Sequence, residues 1–157
     1  MAETAGTQEL QILRTGREKA EPCRPVSITV QAANGMLVSN HSYFIGANQT
    51  TPWNFGAYDS RARQLDQITY AAPYYLAVTS AGNDRNDYTD AIIGPYLTEK
   101  YGYNLVRGMH NAKNILTVGA VNQVLNYVDA NSVTMSSFSS WGPSDDGRIK
   151  PEIVTKG

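Results

Sequence analysis

Short apolar runs separated by amphipathic or turn-rich stretches set the architecture of this chain. Val26 to Asn34 is moderately apolar and closes on Ala32-Ala33-Asn34-Gly35. Gly35 suits the position just past a helix end, where φ turns positive and a Cβ would clash. Asn34-Gly35 is also the commonest hairpin dipeptide. The helix end is preferred, because the next run, Met36-Leu37-Val38-Ser39-Asn40, lacks polar alternation, as a strand covered on both faces does. Pro52, Trp53, Asn54 and Gly56 then mark a loop. From Ala57 the apolar positions Tyr58, Ala62, Leu65 and Ile68 recur at helical spacing, which predicts a helix with one apolar face, ending before Pro73.

Tyr74 to Thr79 is the next predicted strand, and it runs straight into Ser80-Ala81-Gly82-Asn83. Asp84, Asn86, Asp87 and Asp90 make the following segment a polar, solvated loop. Pro95 to Asn111 mixes tyrosines with glycines and reads as an irregular excursion. Ile115 to Val121 is a third buried strand, and Val133 to Phe138 a shorter edge strand. Residues 1–30 form a poorly defined arm ahead of a domain spanning 31–157. Strand, helix, strand, loop, strand is the rhythm of an α/β protein with a mainly parallel sheet and right-handed crossovers. Ligand sites in such sheets lie beyond the carboxyl ends of the strands. Asn40-His41-Ser42 and Gly82-Asn83 both fall at such ends, so topology makes them neighbours.

Composition narrows the function without naming it. Of 157 residues, 41% are hydrophobic and 17% charged, which suits one globular domain. The formal net charge is -1 and Lys and Arg form no long run, so no footprint for nucleic acid or an anionic membrane is present. No apolar stretch approaches the ~20 residues that cross a bilayer. The single cysteine, Cys23, has no internal disulfide partner. Met1 to Pro25 lacks the apolar core of a signal peptide.

Asn83 is the leading candidate for chemistry. Acyl transfer needs an N–H donor fixed where negative charge grows on the attacked carbonyl oxygen, and an asparagine amide at a strand end supplies one without titrating. Taken alone, Gly82-Asn83 is equally a turn. The ordered company of other segments changes the weighing. Val38-Ser39-Asn40-His41-Ser42-Tyr43 precedes it, and Asn114-Ile115-Leu116-Thr117-Val118-Gly119-Ala120-Val121 follows. The run from Ser136-Ser137-Phe138-Ser139-Ser140-Trp141-Gly142-Pro143 to Pro151-Glu152-Ile153-Val154 comes last. Together they resemble the subtilisin-like serine proteases over Gly35 to Gly157, in the style of the large secreted bacterial members.

The resemblance implies a partial three-layer α/β subtilisin-like domain in which Asn83 is the oxyanion-hole donor. Loss of such a donor in subtilisin itself costs about 10²–10³ in turnover. It further implies that Ser42 and Tyr43 line the edge that pairs with an extended peptide, and that Ser80, Ala81 and Gly82 wall the pocket for the residue before the cleaved bond. Phe44 stands where the family usually has glycine, which puts a side chain in the substrate's path. The family's His-Gly-Thr and Gly-Thr-Ser-Met-Ala segments are not found in this sequence. His41 reads as a packed strand-end residue and His110 as part of a surface segment. Ser136, Ser137, Ser139 and Ser140 do not match the nucleophile.

The chain alone is therefore expected to be inactive, as part of a serine endopeptidase whose partners are a peptide or protein substrate and the missing parts of the catalytic domain. The alternative is a non-catalytic, degenerate protease-like module that binds peptides or another protein. No cofactor is implied. Calcium is a structural ion in parts of the family, and Asp84, Asp87 and Asp90 cluster without EF-hand spacing, so no metal site is placed. The parent family works outside the cell or in the cell envelope.

Overall fold

A computed structural model describes residues 25–43 and 51–157; the expectations for residues 1–24, Cys23 and Phe44 lie outside them. Its strands form one four-stranded sheet in the order β1 (Val38–His41), β2 (Leu76–Ser80), β3 (Leu116–Val121), β4 (Ile153–Lys156), all parallel. The α/β class with a parallel sheet expected from the sequence is the observed one. Helix α1 (Pro25–Ala33) ends as expected, with Gly35 at φ 89°. Helix α2 (Ser60–Ala71) crosses from β1 to β2.

Helix α2 starts at Ser60 because Asp59 caps it. The Asp59 carboxylate accepts Arg61 N at 2.9 Å and Ala62 N at 3.0 Å, serving amides that have no partner inside the helix. Asp59→Ala is expected to lower stability by about 1 kcal/mol, a drop of roughly 2–4 °C in Tm followed by circular dichroism. An unchanged melt would show that the cap contributes nothing. The buried face of α2, with Ala62, Leu65 and Ile68, joins Ile28 of α1 and Tyr75, Ala77, Ala112 and Ile115 in the main core.

That core covers one face of the sheet. Along β2 and β3 burial alternates: Ala77, Thr79 and Thr117 are buried, while Val78, Ser80, Leu116, Val118 and Ala120 on the other face are half-buried. Uninterrupted apolar sequence pointed to strands covered on both faces. Among the described residues, helices close only one, and the other forms a groove.

Two further expectations change. The stretch read as irregular contains α3 (Ile93–Lys100), whose Ile93, Tyr96 and Leu97 pack with Phe55 and Leu105 in a second core cluster. Asp90 Oδ1 accepts Ile92 N and Ile93 N at 2.8 Å each at its start. Val133 to Phe138 is not a strand; it touches the sheet through a single antiparallel bridge, Met135 to Val121. The place beside β3 goes to β4, whose entry is secured by Glu152: its Oε2 accepts Thr117 N at 2.8 Å and its N donates to Thr117 O at 3.1 Å.

Candidate active site

Parallel pairing of His41 with Thr79 sets the ends of β1 and β2 side by side. The chain leaves β2 through Ser80 and Ala81 and turns at Gly82, whose φ of 111° is a conformation that a side chain would strain. Asn40 and Ser42 from β1, Ser80 to Asn83 from β2, and Ala120, Ile153 and Gly157 from the β3–β4 side line one groove of about 490 Å³. Val78, Leu116 and Val118 form its apolar floor. The predicted residues Ser42, Ser80, Ala81, Gly82 and Asn83 are thus gathered in one concavity. Tyr43 lies at the end of the same strand and is 36% exposed.

Asn83 is exposed at the rim, and its carboxamide makes no hydrogen bond among the described residues. Its neighbours on both sides are fastened. Ala81 N donates to Val118 O at 2.9 Å and Ser140 N donates to Gly82 O at 2.9 Å. Asp84 N donates to Ser140 Oγ at 3.1 Å, and Arg85 N donates to Phe138 O at 3.2 Å. The Arg85 guanidinium also donates to Ser136 O and Ser137 O, each at 3.2 Å, and lies 3.9 Å from the centre of the Trp141 ring. Ser140, fully buried, holds the main chain just before and just after Asn83. The Asn83 amide is thus carried on fastened backbone, with no competing acceptor among the described residues.

The sequence model of the subtilase family matches residues 8–157. The chain belongs to the subtilase family. Subtilases are serine proteases and are typically secreted. No curated protein matches the chain. Among the described residues no helix is long and apolar enough to cross a membrane.

In this subtilase chain Asp87 is exposed, as expected of a solvated loop, whereas Asp84 is not. Asp84 is buried against Arg107, with Oδ2 3.0 Å from Nη1 and Oδ1 accepting Nη2 at 3.3 Å. Burial pushes the Asp84 carboxyl up, and Arg107 pulls it partly back. Asp84 already faces a cation, and Asp90 accepts helix amides. Among the described residues no group of three or more His, Cys, Asp or Glu is placed to hold a metal.

His41 is the packed strand-end residue expected. It is buried, with Nε2 2.5 Å from Ser39 Oγ and Nδ1 2.7 Å from the Tyr43 hydroxyl. His110 is not on a surface segment. It sits in a 3-10 turn, is only 3% exposed, and donates from Nε2 to Tyr43 O at 3.2 Å. Burial pushes its imidazole down to about 4. The sequence reading also missed Lys150. Its Nζ is buried and donates to Ala112 O at 3.0 Å and Thr117 Oγ1 at 3.1 Å, and it pairs with Glu152. Thr117 in turn donates to His110 O at 3.0 Å. Regular apolar patterning carries no signal for such a chain of contacts.

Proposed function

We propose that this chain is the part of a serine endopeptidase that supplies the oxyanion-hole amide and the substrate walls. In the intact enzyme a peptide bond is hydrolysed through an acyl-enzyme. Asn83 stabilises the oxyanion, Ser42 and Tyr43 pair with the extended substrate, and Ser80, Ala81 and Gly82 wall the pocket for the residue before the cleaved bond. The partners are a peptide or protein substrate and the segments that bring a nucleophilic serine and a general base. The observation that carries this reading is Asn83 itself, an unengaged amide on fastened backbone at the rim of a groove shared with Ser42.

By itself the chain does not hydrolyse peptides. His41 and His110 are buried and hydrogen-bonded, and Ser136, Ser139 and Ser140 are buried. An oxyanion donor without nucleophile or base completes little of the reaction. Two measurements on the 157-residue chain check the proposal. A serine-directed fluorophosphonate should leave it unlabelled, and specific labelling of one serine would overturn the inactivity. Titration of the isotope-labelled chain with a short apolar peptide should move the amide resonances of Ser42, Tyr43 and Ser80 to Asn83. Shifts confined to another surface would remove the substrate walls from the proposal.

A further inference from the structure

The sequence holds two histidines, and both end on the same residue. His41 Nδ1 lies 2.7 Å from the Tyr43 hydroxyl oxygen, and His110 Nε2 lies 3.2 Å from the Tyr43 carbonyl oxygen. One imidazole therefore engages the side chain of Tyr43 and the other its main chain. The His110 ring is only 3% exposed.

Each histidine is itself held. His41 Nε2 lies 2.5 Å from Ser39 Oγ and 3.2 Å from the Tyr75 hydroxyl, and its ring meets the Tyr43 ring edge-on at 5.6 Å and 78°. His110 O accepts Thr117 Oγ1 at 3.0 Å. A carbonyl oxygen can only accept, so His110 carries a proton on Nε2. In neutral His41 one nitrogen accepts while the other donates, which serves the Tyr43 hydroxyl on one side and the Ser39–Tyr75 pair on the other. Arg107 and His41 are the charged or titratable groups that act on His110, and burial pushes both imidazoles below the usual histidine range.

We propose that His41 and His110 are positioning residues that clamp Tyr43 at two points and so fix the first edge of the peptide cleft. The proposal rests on the reading of Ser42 and Tyr43 as the substrate edge. A peptide that pairs with a mobile edge must order it on binding, and fixing the edge beforehand removes that cost. Neither histidine touches the reacting bond in this arrangement.

The test separates the clamp from the substrate reading. In the ligand-free 157-residue chain, a scalar coupling across the hydrogen bond between His110 Nε2 and the Tyr43 carbonyl carbon is expected, and its absence overturns the proposal without any variant. His41→Phe and His110→Leu should each loosen Tyr43, lowering its backbone order parameter from roughly 0.85 to below about 0.6. His110→Gln keeps a donor and should restore rigidity. Binding of the probe acetyl-Ala-Ala-Ala-Phe-amide should weaken about three- to tenfold in His110→Leu, the worth of one neutral hydrogen bond, and recover in His110→Gln. A rigid Tyr43 with unchanged peptide affinity in both apolar variants overturns the proposal. If the unaltered chain fails to bind the peptide, the substrate edge is wrong, and the coupling and order parameters still decide whether the clamp exists.

Discussion

Asn83→Ala, introduced into a polypeptide that carries the whole peptidase domain, is expected to lower kcat about 10²–10³-fold with little change in KM. The magnitude is carried over from subtilisin, where a donor of this kind has been removed. The split between the two constants follows from geometry. A donor aimed at the oxyanion serves the tetrahedral intermediate better than the planar ground-state carbonyl, so its loss falls on the chemical step. The structure adds a reason for the amide to be effective here. Asn83 is exposed and free of internal acceptors, while Ser140 ties the backbone at Gly82 and Asp84.

Steady-state kinetics on a chromogenic peptide checks this. A rise in KM with kcat unchanged would make Asn83 a uniform binding contact rather than an oxyanion donor. Ser140→Ala should show the same kcat-weighted loss at smaller size, because Ser140 keeps its main-chain bond to Gly82 O and loses only the hydroxyl that accepts from Asp84 N.

Much of the fold was legible because parallel strands are marked by short apolar runs, and helix α2 by apolar residues at helical spacing. Three strands and α2 lie within a few residues of their expected places. β4 was hidden because Ile153-Val154-Thr155-Lys156 is short and exposed, and its position is set by Glu152 and Lys150 rather than by its own apolar pattern. α3 was hidden among glycines and tyrosines, with Asp90 accepting the amides at its start. The gathering of Ser42 with Ser80 to Asn83 followed from strand-end topology alone. The supports of the site did not. Ser140, Lys150 and Thr117 act across long sequence separations through a few hydrogen bonds each, and nothing in local composition marks which serine or lysine will be buried. His110 misled for the same reason, since a polar residue among glycines reads as surface until tertiary packing encloses it.

His110 also makes the stability of this fold depend on pH. Its folded-state value of about 4 lies well below the ordinary 6.5. Between those values the unfolded chain takes up a proton that the folded chain refuses, so stability is fully present above about pH 6.5 and is lost as the pH falls toward about 4. The loss through this one group is about 3 kcal/mol. Below about pH 4 the folded state is protonated too, and the dependence on this group levels off. His41, likewise lowered by burial, adds in the same direction. Asp84 opposes them, since burial raises its carboxyl and acid therefore favours its folded, neutral form. Urea denaturation near pH 7 and near pH 4.5 should show a large loss of stability in the unaltered chain and a much smaller one in His110→Gln. Equal losses would show that another group governs acid sensitivity.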